Sequence, residues 1–150
     1  MTARGGPMAE TIDVVIEREI WIEAPPRIVF GYFTDPDRMA RWMGRTVTLD
    51  ARPDGAYRIE YNGSDIASGT FVEIDEPNRI AFTWGWEAAG DAVPPGASLV
   101  EVTLTPDGTG TRLRLRHTGL PAESVGGHAE GWDYFLPTLV SVAEGAAASA

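Results

Sequence analysis

The residues of this chain best suited to chemistry are its two histidines, His117 and His128. An imidazole titrates near neutral pH, so either ring could act as a general acid or base, or hold a polar group of a ligand. The alternative is a structural pair with satisfied hydrogen bonds, because an unpaired buried polar group costs about 1–3 kcal/mol. Two histidines without neighbouring carboxylates do not predict a metal site.

Other catalytic groups are missing from the sequence or carry no signal. The chain has no Cys and no Lys, which excludes a thiolate nucleophile and Schiff-base chemistry. It also lacks the motifs of zinc proteases, serine hydrolases and P-loop proteins. We therefore expect no cofactor and no complete catalytic constellation. Three carboxylates near apolar faces are expected to be solvated: Glu73, Glu87 and Glu101.

The charge of the chain restricts its partners. All 12 basic residues are Arg, and 22 acidic residues bring the net charge to −10. Such a chain repels phosphate backbones and anionic lipid surfaces, so we expect neither nucleic acid nor membrane insertion. The first ten residues lack the apolar run of a signal peptide, which predicts a cytoplasmic protein.

The first element that must position these residues is a strand over residues 12–22. Apolar residues alternate along it with period two, which is typical of a half-buried strand. Arg18 interrupts the apolar face. We expect a bulge there, or a side chain that snorkels past the rim of the sheet, and the alternative is a cation that faces a ligand carboxylate.

Two short helices and a series of strands follow. Pro26 suits a first helical turn, and Asp35 is a good N-cap for a second helix that carries Trp42. Turns at 52–55, 76–79 and 106–108 separate strands at 46–49, 57–61, 69–74, 80–86, 99–105 and 111–118. We expect Gly55 to take the positive φ of the first turn. The register leaves open whether Phe71 or Val72 faces inward.

The last two strands and the final helix have distinct faces. Arg112, Arg114 and Arg116 share one face, where cross-strand ion pairs are expected, opposite Glu101, Thr103 and Thr105. A helix from about 121 to 145 has an apolar face of His128, Trp132, Phe135, Leu139 and Val142. Pro137 predicts a kink. Three glycines thin the first half of the helix: Gly126, Gly127 and Gly131.

A sheet that curls around a thinned helix leaves space inside. Native interiors close nearly every void, so a void that persists generally has an occupant. The large aromatic residues could fill this space as core or line it as walls, and each buries about 150–250 Å².

Three groups of residues together resemble a known family. The first runs from Arg18 through Ala24-Pro25-Pro26, Phe30, Thr34-Asp35-Pro36 and Trp42 to Gly44. The second contains Arg52-Pro53, Gly55, Tyr57, Gly69, Glu73-Ile74-Asp75, Pro77, Arg79 and Thr83-Trp84. The third contains Gly110-Thr111, His117-Thr118-Gly119-Leu120-Pro121, His128 and Gly131-Trp132. Over roughly residues 12–145 the chain resembles bacterial homologues of the C-terminal domain of the heat-shock-protein ATPase activator, in the START-like SRPBCC superfamily.

The resemblance implies an α+β helix-grip fold. About seven antiparallel strands would wrap around the long C-terminal helix, with two short helices after strand 1 and a cavity that opens toward them. Members of the superfamily bind lipids, sterols, polyketides and other hydrophobic molecules, and a few are enzymes. We expect a single domain over 11–147, between a flexible tail at 1–10 and a frayed end at 148–150.

Three functions follow as hypotheses. The first is binding of a small hydrophobic molecule, with His117, His128 and Tyr57 contacting its polar group. The second is an enzyme of the polyketide-cyclase or hydrolase kind with a histidine base. The third is an interaction module for a chaperone or for a homodimer. The residues predicted to bind the ligand are Trp42, Tyr57, Phe71, Trp84, Trp86, His117, His128, Trp132 and Phe135.

Overall fold

The computed structural model of the chain describes residues 15–149. The predicted tail and the first residues of the predicted first strand, Ile12 and Val14, lie outside that range. The elements are, in order, β1 (Ile16–Ile22), α1 (Pro26–Thr34), α2 (Pro36–Met39), β2 (Thr46–Leu49), β3 (Ala56–Glu60), β4 (Ile66–Asp75), β5 (Arg79–Trp86), β6 (Ser98–Asp107), β7 (Gly110–Thr118) and α3 (Ala122–Ser149).

The seven strands form one antiparallel sheet in the order β1-β7-β6-β5-β4-β3-β2. Strands β1 and β2 therefore lie at opposite edges, although only α1 and α2 separate them in the chain. The connection between them must cross one face of the sheet. Helix α1 buries Ile28, Val29, Phe30, Tyr32 and Phe33 on this path. The predicted helix-grip fold is confirmed.

The short helices begin as the sequence predicts. Pro26 lies in the first turn of α1, where its missing N–H removes no hydrogen bond. The carboxylate of Asp35 accepts from the backbone N–H of Asp37 at 2.9 Å and of Arg38 at 3.2 Å. These two bonds satisfy donors that the first turn of α2 leaves unpaired, so the predicted N-cap is confirmed.

The turn before β3 differs from its prediction. Asp54, and not Gly55, has the positive φ, at 68°. Asp tolerates the left-handed region because its short polar side chain can bond locally. Position 55 requires glycine because no side chain fits there: a Cβ would collide with the backbone oxygen of Asp50.

A bulge decides the open register in β4. Phe71 pairs with Phe82, and the pairing then shifts so that Glu73 opposes Ala81. Val72 is the extra residue, and its side chain is 54% exposed, whereas Phe71 is 2% exposed. The bulge lets two successive apolar residues occupy different environments without moving the rest of the strand out of the core.

The outer face of the sheet carries a network of ion pairs. Arg112 pairs with Glu19 at 2.9 Å and Arg116 with Glu17 at 3.1 Å. Arg116 lies opposite Glu101 in the register, as predicted. The three carboxylates near apolar faces are also paired here, because Arg79 contacts Glu73 and Glu101, and Arg58 contacts Glu87.

Arg18 takes a role that the sequence did not indicate. It lies in a regular pair opposite Leu115, without a bulge. Its guanidinium donates two hydrogen bonds to Asp133 on α3, at 2.7 and 3.1 Å. The hydrogen bond from Arg18 lowers the pKa of Asp133. Arg18 thus ties the edge strand to the helix.

Helix α3 is longer than predicted and continues to Ser149 as one element through the exposed Pro137. Its buried residues are Trp132, Leu136, Leu139 and Ala143. The predicted face is right for Trp132 and Leu139, but His128, Phe135 and Val142 are only half-buried, and Leu136 was missed. Within residues 15–149, no helix is both long and apolar enough to cross a membrane.

Candidate functional site

A cavity of about 580 Å³ lies between the first half of α3 and the adjacent end of the sheet. Five large aromatic side chains line it: Tyr61, Trp84, Trp86, Trp132 and Phe135. The ring of Tyr61 lies 5.6 Å from that of Trp86 and 5.5 Å from that of Phe135. The ring of Trp84 lies 5.8 Å from that of Trp132. These contacts fix the walls against one another.

The exposed lining residues define the mouth of the cavity. Ser64 and Asp65 come from the turn between β3 and β4, Ala88 and Asp91 from the loop after β5, and Glu123 from the first turn of α3. Gly127 on α3 is the sixth exposed lining residue, and three of the six are acidic. The mouth therefore carries negative charge, while the interior is apolar.

Glycines on α3 contribute to the space. Gly127 and Gly131 line the cavity, and a Cβ added at either position would meet no atom within 4 Å. Larger side chains at these two positions would point into unfilled space. Gly126 is equally unobstructed but does not line the cavity. The predicted thinning of the helix is therefore right for two of the three glycines.

His117 is fully buried and belongs to a closed hydrogen-bond chain. Trp132 Nε1 donates to His117 Nδ1 at 3.1 Å, so the ring proton lies on Nε2. That nitrogen donates to Ser98 Oγ at 2.9 Å, and Ser98 Oγ donates to the Trp84 carbonyl at 2.8 Å. Burial, with a smaller contribution from nearby His128, lowers the pKa of His117 to about 3. The imidazole is neutral and has no free nitrogen.

His128 lies on the cavity wall, and both of its nitrogens are also occupied. Nδ1 donates to the Ser124 carbonyl at 2.7 Å, and Nε2 accepts from Trp86 Nε1 at 3.0 Å. No carboxylate contacts either histidine within residues 15–149. A general base needs a free nitrogen directed at the substrate, and neither ring offers one in this arrangement. Both histidines instead position tryptophans of the wall.

Two other polar groups of the wall are unpaired. Trp84 is 3% exposed, and its Nε1 is the one buried side-chain donor among residues 15–149 without an acceptor. The Tyr61 hydroxyl makes no hydrogen bond to any residue in that range, and burial raises its pKa well above the ordinary value. The phenol is therefore neutral and can both donate and accept.

A family model places the chain among known proteins. The model described as Activator of Hsp90 ATPase homolog 1-like protein matches residues 23–144. The chain belongs to this family.

Three relatives show the range of the similarity. An AHSA1-like protein from Rhizobium etli, solved by NMR, is 42% identical with a TM-score of 0.71, covering 89% of this chain and 84% of that one. An HSP90 activator from Plasmodium falciparum has the same fold at 24% identity and a TM-score of 0.72, covering 85% and 94%. An uncharacterised protein of Schizosaccharomyces pombe is 29% identical over 132 residues, which are 85% of this chain. The chain spans 36% of the length of that curated relative.

The cavity of this AHSA1-like protein opens in a different place from the one that the resemblance implied. The expected mouth faced the two short helices. The observed mouth lies between two loops of the sheet and the start of α3. The segment between α2 and β2 contributes only Met43 to the lining. Met43 itself is 2% exposed, so that side is closed by packed residues.

Five of the nine predicted site residues line the cavity: Trp84, Trp86, His128, Trp132 and Phe135. The other four do not. Trp42 packs on Phe33 and donates to the Tyr32 carbonyl. Tyr57 is buried between Phe71 and Phe82 and donates to the Thr83 carbonyl, and His117 lies behind Trp132.

Tyr61 was not among the predicted site residues, although it continues the inward alternation of Tyr57 and Ile59 and could have been found from it. The three acidic residues of the mouth were not predicted either. Asp65, Asp91 and Glu123 lie in loops or at a helix start, where no periodicity indicates which side chains converge.

Proposed function

We propose that this AHSA1-like protein binds a small, ring-containing hydrophobic molecule in the cavity beside α3. The observation that carries the proposal is a space of about 580 Å³ with five aromatic side chains on its walls. Cavities of roughly 300–1,000 Å³ that combine apolar walls with a few polar groups are typical of small-molecule sites. Flat ring systems suit such walls because offset and edge-to-face contacts between rings add to the gain from apolar burial.

The free energy of binding would come mainly from apolar surface removed from water. Each Å² contributes about 25 cal/mol, before the costs of association are subtracted. The polar group of the ligand would contact Tyr61, whose hydroxyl has no hydrogen-bond partner among residues 15–149, and not the histidines as first expected. A ligand acceptor that reached Trp84 Nε1 would also satisfy the unpaired donor.

The alternatives have less support. An enzyme with a histidine base needs a nitrogen that the hydrogen bonds of His117 and His128 already occupy. An interaction module needs an exposed apolar patch. The exposed large apolar residues among 15–149 are Trp21 on β1, Val72 on β4 and Tyr134 on α3. Three strands separate β1 from β4, so these residues do not form one surface.

A pair of glycine substitutions tests the proposal. Gly131→Leu places an isobutyl group in the cavity, whereas Gly126→Leu adds the same group on the same helix outside it. We expect native mass spectrometry and thermal-shift screening with hydrophobic metabolites to detect ligands of the wild type and of Gly126→Leu, and none of Gly131→Leu. Binding that survives in Gly131→Leu would place the ligand elsewhere. A wild type that no hydrophobic compound stabilises would contradict the proposal.

A further inference from the structure

The charges of the molecule are matched on one surface and unmatched on another. On the outer face of the sheet, carboxylates pair with arginines within 4 Å. At the cavity mouth, Asp65, Asp91 and Glu123 form no ion pair with any residue in 15–149. Asp65 accepts from Asn62 Nδ2 at 2.8 Å and Asp91 from the Val93 N–H at 2.9 Å, and these neutral donors leave both charges uncompensated.

The cavity contains no cation that could neutralise this charge. None of its 16 lining residues is an arginine, and the chain has no lysine. The site itself does not depend on the carboxylates, since aromatic side chains line it and one of them, Trp84, is 3% exposed with an Nε1–H that has no acceptor in the described part of the chain. What the carboxylates decide is the charge of the molecule that enters.

The walls of the cavity and its mouth both favour a positively charged ligand. The faces of indole rings carry negative potential and attract cations within about 6 Å of the ring centroid. Three of the wall residues are tryptophans: Trp84, Trp86 and Trp132. A cation that passes the mouth would therefore still find favourable contacts inside. A carboxylate or phosphate would meet three negative side chains at the mouth and no arginine or lysine in the lining, where His128 already uses both ring nitrogens in hydrogen bonds.

We infer that the ligand is a hydrophobic amine, with a ring-containing body against the aromatic walls and an ammonium group at the acidic mouth. The inference rests on the proposed function and specifies the ligand of the same cavity. It disfavours fatty acids and other anionic amphiphiles. The net charge of −10 would add electrostatic attraction during encounter, which weakens as salt is added.

Three probes that share one ring system test the inference. Naphthylmethylammonium, naphthylmethanol and naphthoate differ mainly in charge, and their binding can be measured by calorimetry at neutral pH and low salt. We expect the ammonium compound to bind roughly tenfold more tightly than the alcohol, and naphthoate to bind most weakly. The advantage of the ammonium compound should shrink as the salt concentration rises.

A matched pair of triple variants separates local charge from net charge. Asp65→Asn with Asp91→Asn and Glu123→Gln removes the three charges of the mouth. Asp37→Asn with Asp75→Asn and Glu76→Gln removes three exposed charges that do not line the cavity. The preference for ammonium over alcohol should disappear in the first variant and persist in the second. Loss of the preference in both variants would assign it to net charge and overturn the inference.

The remaining outcomes distinguish the two proposals. If the alcohol binds the wild type as tightly as the ammonium compound and Gly131→Leu abolishes both, the cavity binds ligands but the charge inference is wrong. If none of the three probes binds the wild type, the charge inference and the proposed binding of ring-containing molecules of this size both fail.

Discussion

The two halves of α3 meet the same sheet in different ways. The second half buries Leu136, Leu139 and Ala143, each 3% exposed or less. The first half, from Ala122 to Gly131, has no buried residue. It contributes two glycines to the cavity wall, and its apolar residues Val125 and Ala129 are only partly buried against the core. One continuous helix thus closes the interior at one end and leaves it unfilled at the other, and side-chain size decides which.

The halves also differ in how they are anchored. In the second half, the backbone oxygen of Val142 accepts from the Tyr32 hydroxyl at 3.3 Å, and the Glu144 carboxylate accepts from the Glu23 N–H at 3.0 Å. The first half is held to the sheet through His128 and Trp86. Fully buried side chains stabilise the second half, whereas the first half contributes only partly buried apolar side chains and the bond of His128. Binding sites are commonly drawn from regions of low local stability.

The largest expected difference between the halves is the effect of removing apolar side chains. Leu139→Ala should lower the free energy of unfolding by about 3 kcal/mol, because Leu139 is fully buried and its loss leaves a cavity. Val125→Ala, in the half-buried first half, should lower it by less than about 1 kcal/mol. Urea unfolding monitored by circular dichroism measures both. Equal losses would mean that the first half packs as tightly as the second.

The junction between the halves is Trp132, and its bond to His117 predicts a pH effect. The pKa of His117 is about 3 in the folded protein, below the ordinary value of 6.5. The unfolded chain therefore binds the additional proton as pH falls below 6.5. The contribution of the neutral His117 ring to the free energy of unfolding is therefore fully present above that pH. It declines on acidification, by about 1.5 kcal/mol between pH 6.5 and 5, where most carboxylates remain ionised.

Urea unfolding at the two pH values measures this decline. His117→Gln can still accept from Trp132 and donate to Ser98, and it should lose the decline, whereas His128→Gln should keep it. NMR titration of the wild type gives a direct check, because the His117 ring should remain neutral down to about pH 4. Titration of that ring near pH 6 would show that the hydrogen-bond chain around it is not closed.

Much of the fold could be predicted because it is encoded locally. Period-two alternation located the strands, Asp35 marked the start of α2, and the arginine row on β7 predicted cross-strand ion pairs and the position of Glu101 opposite it. The choice between Phe71 and Val72 could not be predicted, because a bulge leaves no signature in a single strand. The positive φ of Asp54 could not be predicted either, because the neighbouring Gly55 is the residue type that usually adopts it.

The site was less predictable than the fold, for a physical reason. Large aromatic residues at inward positions are equally suited to a core and to a cavity wall, so Tyr57 and Phe71 could not be distinguished from Trp84 and Phe135 by sequence. The difference lies in what faces them. Tyr57 and Phe71 pack against each other and against Phe82, whereas Trp84 and Phe135 line a space that Gly127 and Gly131 also border. Such relations between distant segments are fixed only by the complete fold.

The smallest expected effect concerns those glycines. Gly131→Ala and Gly126→Ala should each stabilise the protein by about 0.5–1 kcal/mol, since alanine favours the helix and neither Cβ meets another atom within 4 Å. Thermal or urea unfolding of the ligand-free protein measures the gain. Only Gly131→Ala places a methyl group in the cavity, so only that variant should also weaken binding of naphthylmethylammonium. If Gly131→Ala is instead destabilising, the added methyl group has no free space at this position. The first half of α3 would then pack as closely as the second, and the contrast between the halves fails. If it stabilises the protein and weakens binding together, glycine at this position retains space for a ligand at the expense of helix stability.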